Sequence, residues 1–296
     1  MRTSIPSLTT RALKTWCGTD RISALSKLLD ERAPASTTPA ASVLALFVAG
    51  QTLPSDRLRA LDLDELIANE LIERTGDLVR ARVAILPIGS ALLVCDRLDA
   101  PDEREVVCWP DDSSLHLAGA IPAGRRARWL DIGCGSAFAQ LARPELATEL
   151  VGIDINPRAL RYAALGASLS GLGRMSVAAA ADGRFDLVTC NAPLPGASEL
   201  AVWRHADAGF FAWLWPAIAD RLAPGGLAVV HAARRAIPDD LAGERTIVAY
   251  ADEAVLWWRP DRDAGDAGVV EVRRALTVEQ PHIEARDLDD ARAQDR

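Results

Sequence analysis

Short apolar runs alternate with amphipathic stretches over residues 125–280 of the chain. The apolar runs carry few charges, which is typical of strands that are buried on both faces of a sheet. The expected strands are Ala127–Ile132, Leu150–Ile155, Met175–Ala180, Phe185–Cys190 and Leu227–His231. The expected helices are Ala137–Ala142, Pro157–Ser170 and Ala206–Leu222. This alternation predicts an α/β fold with a doubly wound, mainly parallel sheet, whose ligands bind at the carboxyl ends of the strands.

The first ninety-odd residues follow another pattern, in which helical periodicity is followed by two strand-like runs. The helical stretches are Ile22–Leu29, Val43–Ala49 and Leu63–Glu73, and the runs are Leu78–Leu86 and Ala91–Asp96. Three helices and a two-stranded wing are the order of a winged helix. The segment before the wing, residues 62–70, carries four carboxylates, which a phosphate backbone would repel. A module that packs or holds a substrate is therefore favoured over a DNA-binding one.

These two patterns divide the chain into segments. We expect a helical, winged-helix-like domain at residues 1–95, a linker and lead-in segment at 96–120, and the α/β domain at 121–280. Within the α/β domain, the runs Ala254–Pro260 and Val269–Arg273 flank a polar tip and predict an antiparallel hairpin that closes the sheet. The charged residues 281–296 are expected to form a C-terminal tail.

The charge composition of the chain indicates which kinds of substrate its α/β domain can bind. The 296 residues include 33 Lys and Arg against 41 Asp and Glu, a net charge of -8. Only two of the basic residues are lysines, which together with abundant alanine indicates a high-GC bacterial genome. Residues 1–95 hold 11 basic and 10 acidic residues, so the negative charge lies in the α/β domain and disfavours RNA or DNA as its substrate.

Other classes of protein are disfavoured by what the sequence lacks. The five cysteines have no CxxC spacing, which argues against a disulfide framework and a zinc site. No other metal ligand set is evident, since His116 and His205 have no partner that the sequence pattern identifies. Without a run of about 18–20 apolar residues no membrane span is expected, and without a signal sequence we expect a cytoplasmic protein.

A glycine loop follows the first strand of the α/β domain, and an acidic residue follows the second. The loop is Asp131-Ile132-Gly133-Cys134-Gly135, and Asp154 and Ile155 end the next strand about twenty residues later. Glycines allow a sharp turn and a close approach of ligand to backbone, and a carboxylate in the second place can accept hydrogen bonds from ribose hydroxyls. The dinucleotide pattern would require glycine at Phe138, so a different nucleotide is indicated.

The residues Asp131-x-Gly133-x-Gly135-x-Ala137 resemble motif I of the class I S-adenosylmethionine-dependent methyltransferases. The resemblance implies a Rossmann-like, seven-stranded mixed sheet and S-adenosylmethionine as the cofactor. It also implies that the loop, including Ile132 and Cys134, lies against the methionine part, while Asp154 holds the ribose beside Ile155. Asp131 suits a positively charged ligand, and Asp182, after the third strand, is a further candidate for contact with the adenine.

The fourth strand ends in a second candidate motif, Asn191-Ala192-Pro193-Leu194. It is similar to the Asn-Pro-Pro-aromatic motif of methyltransferases that act on planar nitrogens, including protein glutamine and ribosomal RNA guanine methyltransferases. The resemblance implies that the Asn191 carbonyl holds the acceptor NH2 and that Pro193 makes the turn rigid. Leu194 replaces the aromatic residue that would stack on a base, which weakens the case for a nucleobase. Leu194 and Trp203 are candidate substrate contacts.

These motifs predict a methyltransferase that acts on a nitrogen acceptor, with protein or a small molecule favoured over nucleic acid. One alternative is a small-molecule N- or O-methyltransferase of secondary metabolism, which the missing aromatic residue would suit. The other is a cofactor-binding regulatory protein without turnover, in which the winged-helix module acts. The identity of the acceptor and the oligomeric state stay open at this point.

Overall fold

The computed structural model describes residues 39–88, 91–100, 105–196, 205–250, 252–263 and 269–271. Its N-terminal part contains two helices and five short strands. They are α1 (Pro39–Phe47), β1 (Leu53–Pro54), α2 (Leu63–Ala68), β2 (Ile72–Thr75), β3 (Leu78–Ala81), β4 (Ala84–Ile88) and β5 (Ala91–Cys95), with a 3₁₀ turn at Ser55–Leu58. Strands β1, β3 and β2 form an antiparallel sheet in that order, and β4 pairs with β5 in a hairpin.

Two expectations for this part were wrong in detail. The helix expected over Leu63–Glu73 ends at Ala68, because Glu70 adopts a left-handed φ of 56° and the chain then enters β2. The strand expected over Leu78–Leu86 is interrupted between β3 and β4, so two hairpins replace the single wing. The winged-helix interpretation stays a prediction, and the helix expected at Ile22–Leu29 lies outside the described residues.

The α/β part is built on one eight-stranded sheet. Its strands are β6 (Arg126–Ile132), β7 (Ala147–Ile153), β8 (Met175–Ala178), β9 (Phe185–Asn191), β12 (Leu222–Ala233), β13 (Glu244–Tyr250), β14 (Glu253–Arg259) and β15 (Val269–Glu271). The helices are α3 (Asp112–Ala120), α4 (Phe138–Ala142), α5 (Pro157–Leu169) and α6 (Ala208–Arg221), with 3₁₀ turns at Pro144–Leu146 and Arg234–Ala236. The two-residue strands β10 (Leu194–Pro195) and β11 (His205–Ala206) pair with each other.

The sheet order is β15-β13-β14-β12-β9-β6-β7-β8, and β14 is antiparallel to both of its neighbours while the other pairs are parallel. The chain starts in the middle at β6 and winds outwards to β8 before it returns to β9. The strand order therefore reverses between β6 and β9, which is the place where ligands bind in such sheets. The predicted doubly wound α/β architecture with a mixed sheet is confirmed, although the sheet has eight strands where seven were expected.

The C-terminal edge differs from the expected arrangement. The antiparallel hairpin is formed by β13 and β14, whereas β15 lies parallel to β13 as an eighth strand. The prediction that Val269–Arg273 would pair antiparallel with the preceding strand was therefore wrong. A short link between β13 and β14 suits a hairpin, because antiparallel neighbours need only a tight turn.

The N-terminal part packs directly on helix α5. The Leu92 amide donates to Ser170 Oγ at 2.8 Å, and a Cβ on Gly166 would lie only 2.9 Å from the Leu92 carbonyl oxygen. Next to this contact, the buried Asp96 carboxylate accepts from Arg158 at 2.5 Å and from the Val107 amide at 2.7 Å. A continuous apolar core runs from α1 to β14 through these contacts. In the described part of the chain, none of the helices combines the length and the apolar character that a membrane span requires.

Candidate functional site

A cleft of about 370 Å³ opens at the carboxyl ends of β6, β7 and β9. Its walls come from the glycine loop, from the residues after β7 and β9, and from residues 106–111, which were expected to be linker. The polar lining residues are Asp111, Ser113, Ser114, Asp131, Ser136, Asp154, Asn156, Asn191, His231 and Glu253. The cleft therefore lies where the strand order reverses, and the lead-in segment closes one side of it.

The glycine loop forms an open cradle in this cleft. Gly133 and Gly135 have φ values of 66° and 53°, and a Cβ on either residue would meet nothing within 4 Å. The following Ala137 is also left-handed, with φ 61°, and it precedes helix α4. Side chains larger than hydrogen at the two glycines would be strained and would occupy the space in front of the backbone. The free space fits a ligand that lies against the peptide groups.

Asp154 is held at the end of β7 by backbone amides. Its Oδ2 accepts from the Gly135 amide and its Oδ1 from the Asn156 amide, both at 2.8 Å. Burial raises the pKa of Asp154, and the two amides partly oppose this effect. Each carboxylate oxygen has a second lone pair, so the group can still accept hydrogen bonds from two vicinal hydroxyls. This geometry fits the ribose contact that the sequence predicts.

Asp131 lies deeper, at the end of β6, and is 4 % exposed. The Thr189 hydroxyl donates to its Oδ1 at 2.6 Å and accepts from the Trp129 indole N–H at 2.7 Å. Burial raises the pKa of Asp131 to about 7; the Thr189 hydrogen bond opposes this rise and the charge of Asp154 adds to it. A cation in the cleft would favour the ionised form. Two carboxylates in one cleft make the site suitable for a cationic ligand.

The side-chain amide of Asn191 has a defined orientation at the end of β9. Its Nδ2 donates to Ser113 Oγ at 2.8 Å, and the Ser113 hydroxyl donates to the Asp111 carboxylate at 2.5 Å. A hydroxyl has one hydrogen, so Ser113 must accept from Asn191 once it donates to an ionised carboxylate. This chain of donors identifies the nitrogen and the oxygen of the amide. The Asn191 carbonyl oxygen is thereby left available to a ligand.

Of the other residues that were predicted for the site, some line the cleft and some lie outside it. Pro193 and Leu194 line the cleft, and Leu194 is 44 % exposed. Ile132 is buried in the sheet and Ile155 is 76 % exposed, and neither is among the cleft-lining residues. Asp182 also lies outside the lining; its side chain is fully exposed and 3.8 Å from the Arg221 guanidinium.

Cys134 lines the cleft and is buried against Gly152, where a Cβ would lie 2.9 Å from its sulfur. Burial raises the pKa of its thiol well above the usual value, so the residue packs the loop and is a poor nucleophile. Trp203, the second candidate substrate contact, lies outside the described residues.

Several cleft residues were not found from the sequence. Trp109, Phe138, Asn156, His231 and Glu253 line the cleft but belong to no predicted motif. These five residues come from segments that are distant in the sequence, and only the fold brings them together. A local signal exists only for the neighbouring start of α3, because Asp111 followed by Ser113 and Ser114 has the composition of a helix N-cap, and Asp111 does cap α3.

Residues 130–201 match the family model described as a methyltransferase domain. Similar solved structures include the ribosomal protein L11 methylase of Lactobacillus delbrueckii subsp. bulgaricus, at 17% identity over 51% of this chain and 77% of that one, with a TM-score of 0.40. A methyltransferase of Pyrococcus furiosus has 14% identity over 48% and 79%, with a TM-score of 0.36. The N-methyltransferase NodS of Bradyrhizobium japonicum WM9 has 22% identity over 45% and 85%, with a TM-score of 0.33. A search of curated proteins finds no match.

Proposed function

Because residues 130–201 match a methyltransferase domain, we propose that the protein is an S-adenosylmethionine-dependent methyltransferase that methylates a planar nitrogen of a protein amide or a similar small-molecule group. The observation that supports this most directly is the fixed orientation of Asn191. Its NH2 group is engaged by Ser113, so its carbonyl oxygen is directed to accept a hydrogen bond from an N–H of the acceptor.

The residues of the cleft fit the cofactor S-adenosylmethionine, which when bound supplies an electrophilic methyl group on a sulfonium. Gly133 and Gly135 leave open space for it. Asp154 has free lone pairs for the two ribose hydroxyls, and the buried Asp131 complements the positive charge of the amino-acid part. The cleft volume of about 370 Å³ is within the roughly 300–1,000 Å³ of small-molecule sites.

In this proposal Asn191 acts by orientation. A hydrogen bond from the acceptor N–H to Asn191 Oδ1 turns the nitrogen lone pair towards the methyl group, and Pro193 restricts the backbone that carries the amide. Bound S-adenosylmethionine would supply the methyl group, with the electron pair of the broken S–CH3 bond left on sulfur, and the methylated nitrogen would release its proton to solvent. Alignment of this kind supplies a large part of the acceleration of a two-reactant step.

The acceptor class is inferred from the residues around the mouth of the cleft. Leu194 offers an exposed aliphatic surface that can pack on a flat amide but cannot stack as an aromatic ring would. The net charge of -8 also disfavours a polyanionic acceptor. We therefore propose a protein or small-molecule acceptor, with the N-terminal segment 1–95, winged-helix-like in its pattern, as the part that packs against or holds it.

The test uses tritiated S-adenosylmethionine with heat-treated cell extract as the source of acceptors, separated afterwards into protein, RNA and small-molecule fractions. Purified protein should label the protein or small-molecule fraction above the background of extract alone. The variant Asn191→Ala should retain calorimetric binding of S-adenosylhomocysteine and lose transfer. Asp220→Ala, which changes an exposed residue near the end of α6 and outside the cleft lining, should behave as the wild type in both assays.

Two outcomes would contradict the proposal in different ways. Full transfer by Asn191→Ala would refute the orientation role of the amide while leaving the enzyme assignment intact. Binding of S-adenosylhomocysteine without labelling of any fraction would instead favour the cofactor-binding regulatory alternative.

A further inference from the structure

Two histidines and a glutamate meet at the edge of the cleft. They are His116 on α3, His231 on β12 and Glu253 on β14, and one ligand atom from each lies within 4.8 Å of the other two. His231 Nε2 is 3.6 Å from Glu253 Oε2, and the centroids of the two imidazole rings are 6.1 Å apart. None of the three side chains has a role in the proposed methyl transfer or in the proposed binding of its cofactor.

The register of the sheet explains why they meet. His231 pairs with Val255 and Ala233 pairs with Glu253, so Glu253 lies on the same face as His231, diagonally across the antiparallel pair. Helix α3 packs on this face, where the Trp257 indole N–H donates to the Ala120 carbonyl at 2.9 Å. The helix therefore delivers His116 to the strand pair that carries the other two residues.

We propose that His116, His231 and Glu253 form a binding site for a divalent transition-metal ion of the zinc type. Two imidazole nitrogens and one carboxylate oxygen are a donor set that such ions prefer, and three protein ligands leave a further coordination position open. Ligand atoms about 2.0–2.1 Å from one tetrahedral ion lie roughly 3.4 Å from each other. The 3.6 Å between His231 and Glu253 is close to this value.

The burial of the three residues fits a ligand set more closely than a surface cluster. His116 and His231 are 7 % and 3 % exposed, and the Glu253 side chain is 37 % exposed towards the cleft that it lines. Imidazoles held in place by the surrounding core lose little further freedom when an ion binds. The partly exposed carboxylate gives the ion a route of entry from the cleft.

The position of the site suggests what its open coordination position faces. His231 is in register with Asn191 on the neighbouring strand, and both line the cleft. We place the open coordination position on the acceptor side of the cleft, where the ion would bind an oxygen or nitrogen atom of the acceptor. This placement rests on the proposed methyl transfer. Binding of the metal ion by the three side chains does not depend on the proposed methyl transfer.

The site is tested by calorimetric titration of the full chain with Zn²⁺ and by the visible absorption of added Co²⁺. We expect one ion per chain and visible bands typical of four- or five-coordinate Co²⁺. Loss of an outer partner of a metal ligand lowers affinity by about 10- to 100-fold, so His231→Gln and Glu253→Gln should each lower it by about 100-fold or more. His205→Gln changes a histidine outside the cleft lining and should leave the affinity unchanged.

Binding of S-adenosylhomocysteine provides the second readout. Each variant should still bind it, which shows an intact fold and separates the metal site from the cofactor site. Should His231→Gln fail to fold, Glu253→Gln alone decides, because its side chain is partly exposed. Zn²⁺ binding that is absent in the wild type, or unchanged in Glu253→Gln, would overturn the proposal whether or not methyl transfer is found.

Discussion

The buried carboxyl of Asp131 should make the stability of the fold and the affinity for the cofactor change in opposite directions as the pH rises. Burial raises its pKa from an ordinary value of 3.8 to about 7, so the folded chain binds a proton there that the unfolded chain has already lost. The free energy of unfolding therefore falls as the pH rises from about 4 to 7. Asp131→Asn removes the ionisation and keeps an oxygen that can accept from Thr189.

The size of the effect follows from the shift. Each pKa unit corresponds to about 1.4 kcal/mol, so a rise of roughly three units costs the wild type up to about 4 kcal/mol once the pH is above 7. The ligand-free variant should accordingly be about 2–4 kcal/mol more stable than the wild type at pH 8, with little difference at pH 4.

The assay is urea unfolding followed by tryptophan fluorescence at pH 4, 6 and 8, with calorimetric binding of S-adenosylmethionine at the same pH values. Other titrating groups are common to both proteins, so their contributions largely cancel in the difference; the exception is Asp154, whose charge interacts with that of Asp131. The affinity of the wild type should rise by about tenfold between pH 6 and 8, because the ionised fraction rises from about a tenth to nine tenths. The Asn variant should bind weakly at every pH.

Asp240→Asn is a matched control, since this carboxylate is exposed and its loss should leave the pH dependence of stability unchanged. If the wild type is as stable as Asp131→Asn at pH 8, or more stable, the ionised Asp131 carboxylate does not destabilise the fold and the prediction is wrong. An affinity of the Asn variant equal to that of the wild type at pH 8 would refute the contact between Asp131 and the cationic cofactor.

Two further predictions concern packing. Asp96→Asn should destabilise the fold by about 2–4 kcal/mol, because it removes a buried carboxylate and leaves Arg158 without its counter-ion. Thermal unfolding measures this loss. As a control, Glu70→Gln at an exposed ion pair should leave the melting temperature nearly unchanged. Gly152→Ala should cost about 1–3 kcal/mol, because the new methyl group would lie 2.9 Å from the Cys134 sulfur, and it should also weaken calorimetric binding of S-adenosylhomocysteine by displacing the glycine loop. A Gly152→Ala variant with wild-type stability and binding would show that the loop can shift freely.

The sequence alone was sufficient where the signal is local. Buried parallel strands read as continuous apolar runs, so β6 and β9 were predicted to within about a residue at each end. A glycine loop after one strand and an acidic residue after the next identified Asp131 and Asp154, since the carboxyl ends of neighbouring parallel strands meet at one edge. Local pattern was less reliable at Leu63–Glu73, where helical periodicity continued past the point at which Glu70 leaves the helix.

The tertiary structure decided the features that depend on distant segments. The sequence could not show that Ser113 orients Asn191, or that His116 lies beside His231 and Glu253, because these side chains share no periodicity and meet only when α3 packs on the sheet. It also could not show the raised pKa of Asp131, because desolvation depends on everything that surrounds a group. The sequence thus determined the central parallel strands and the glycine loop, while the packing of α3 and the strand order determined the burial of Asp131 and the neighbours of the site.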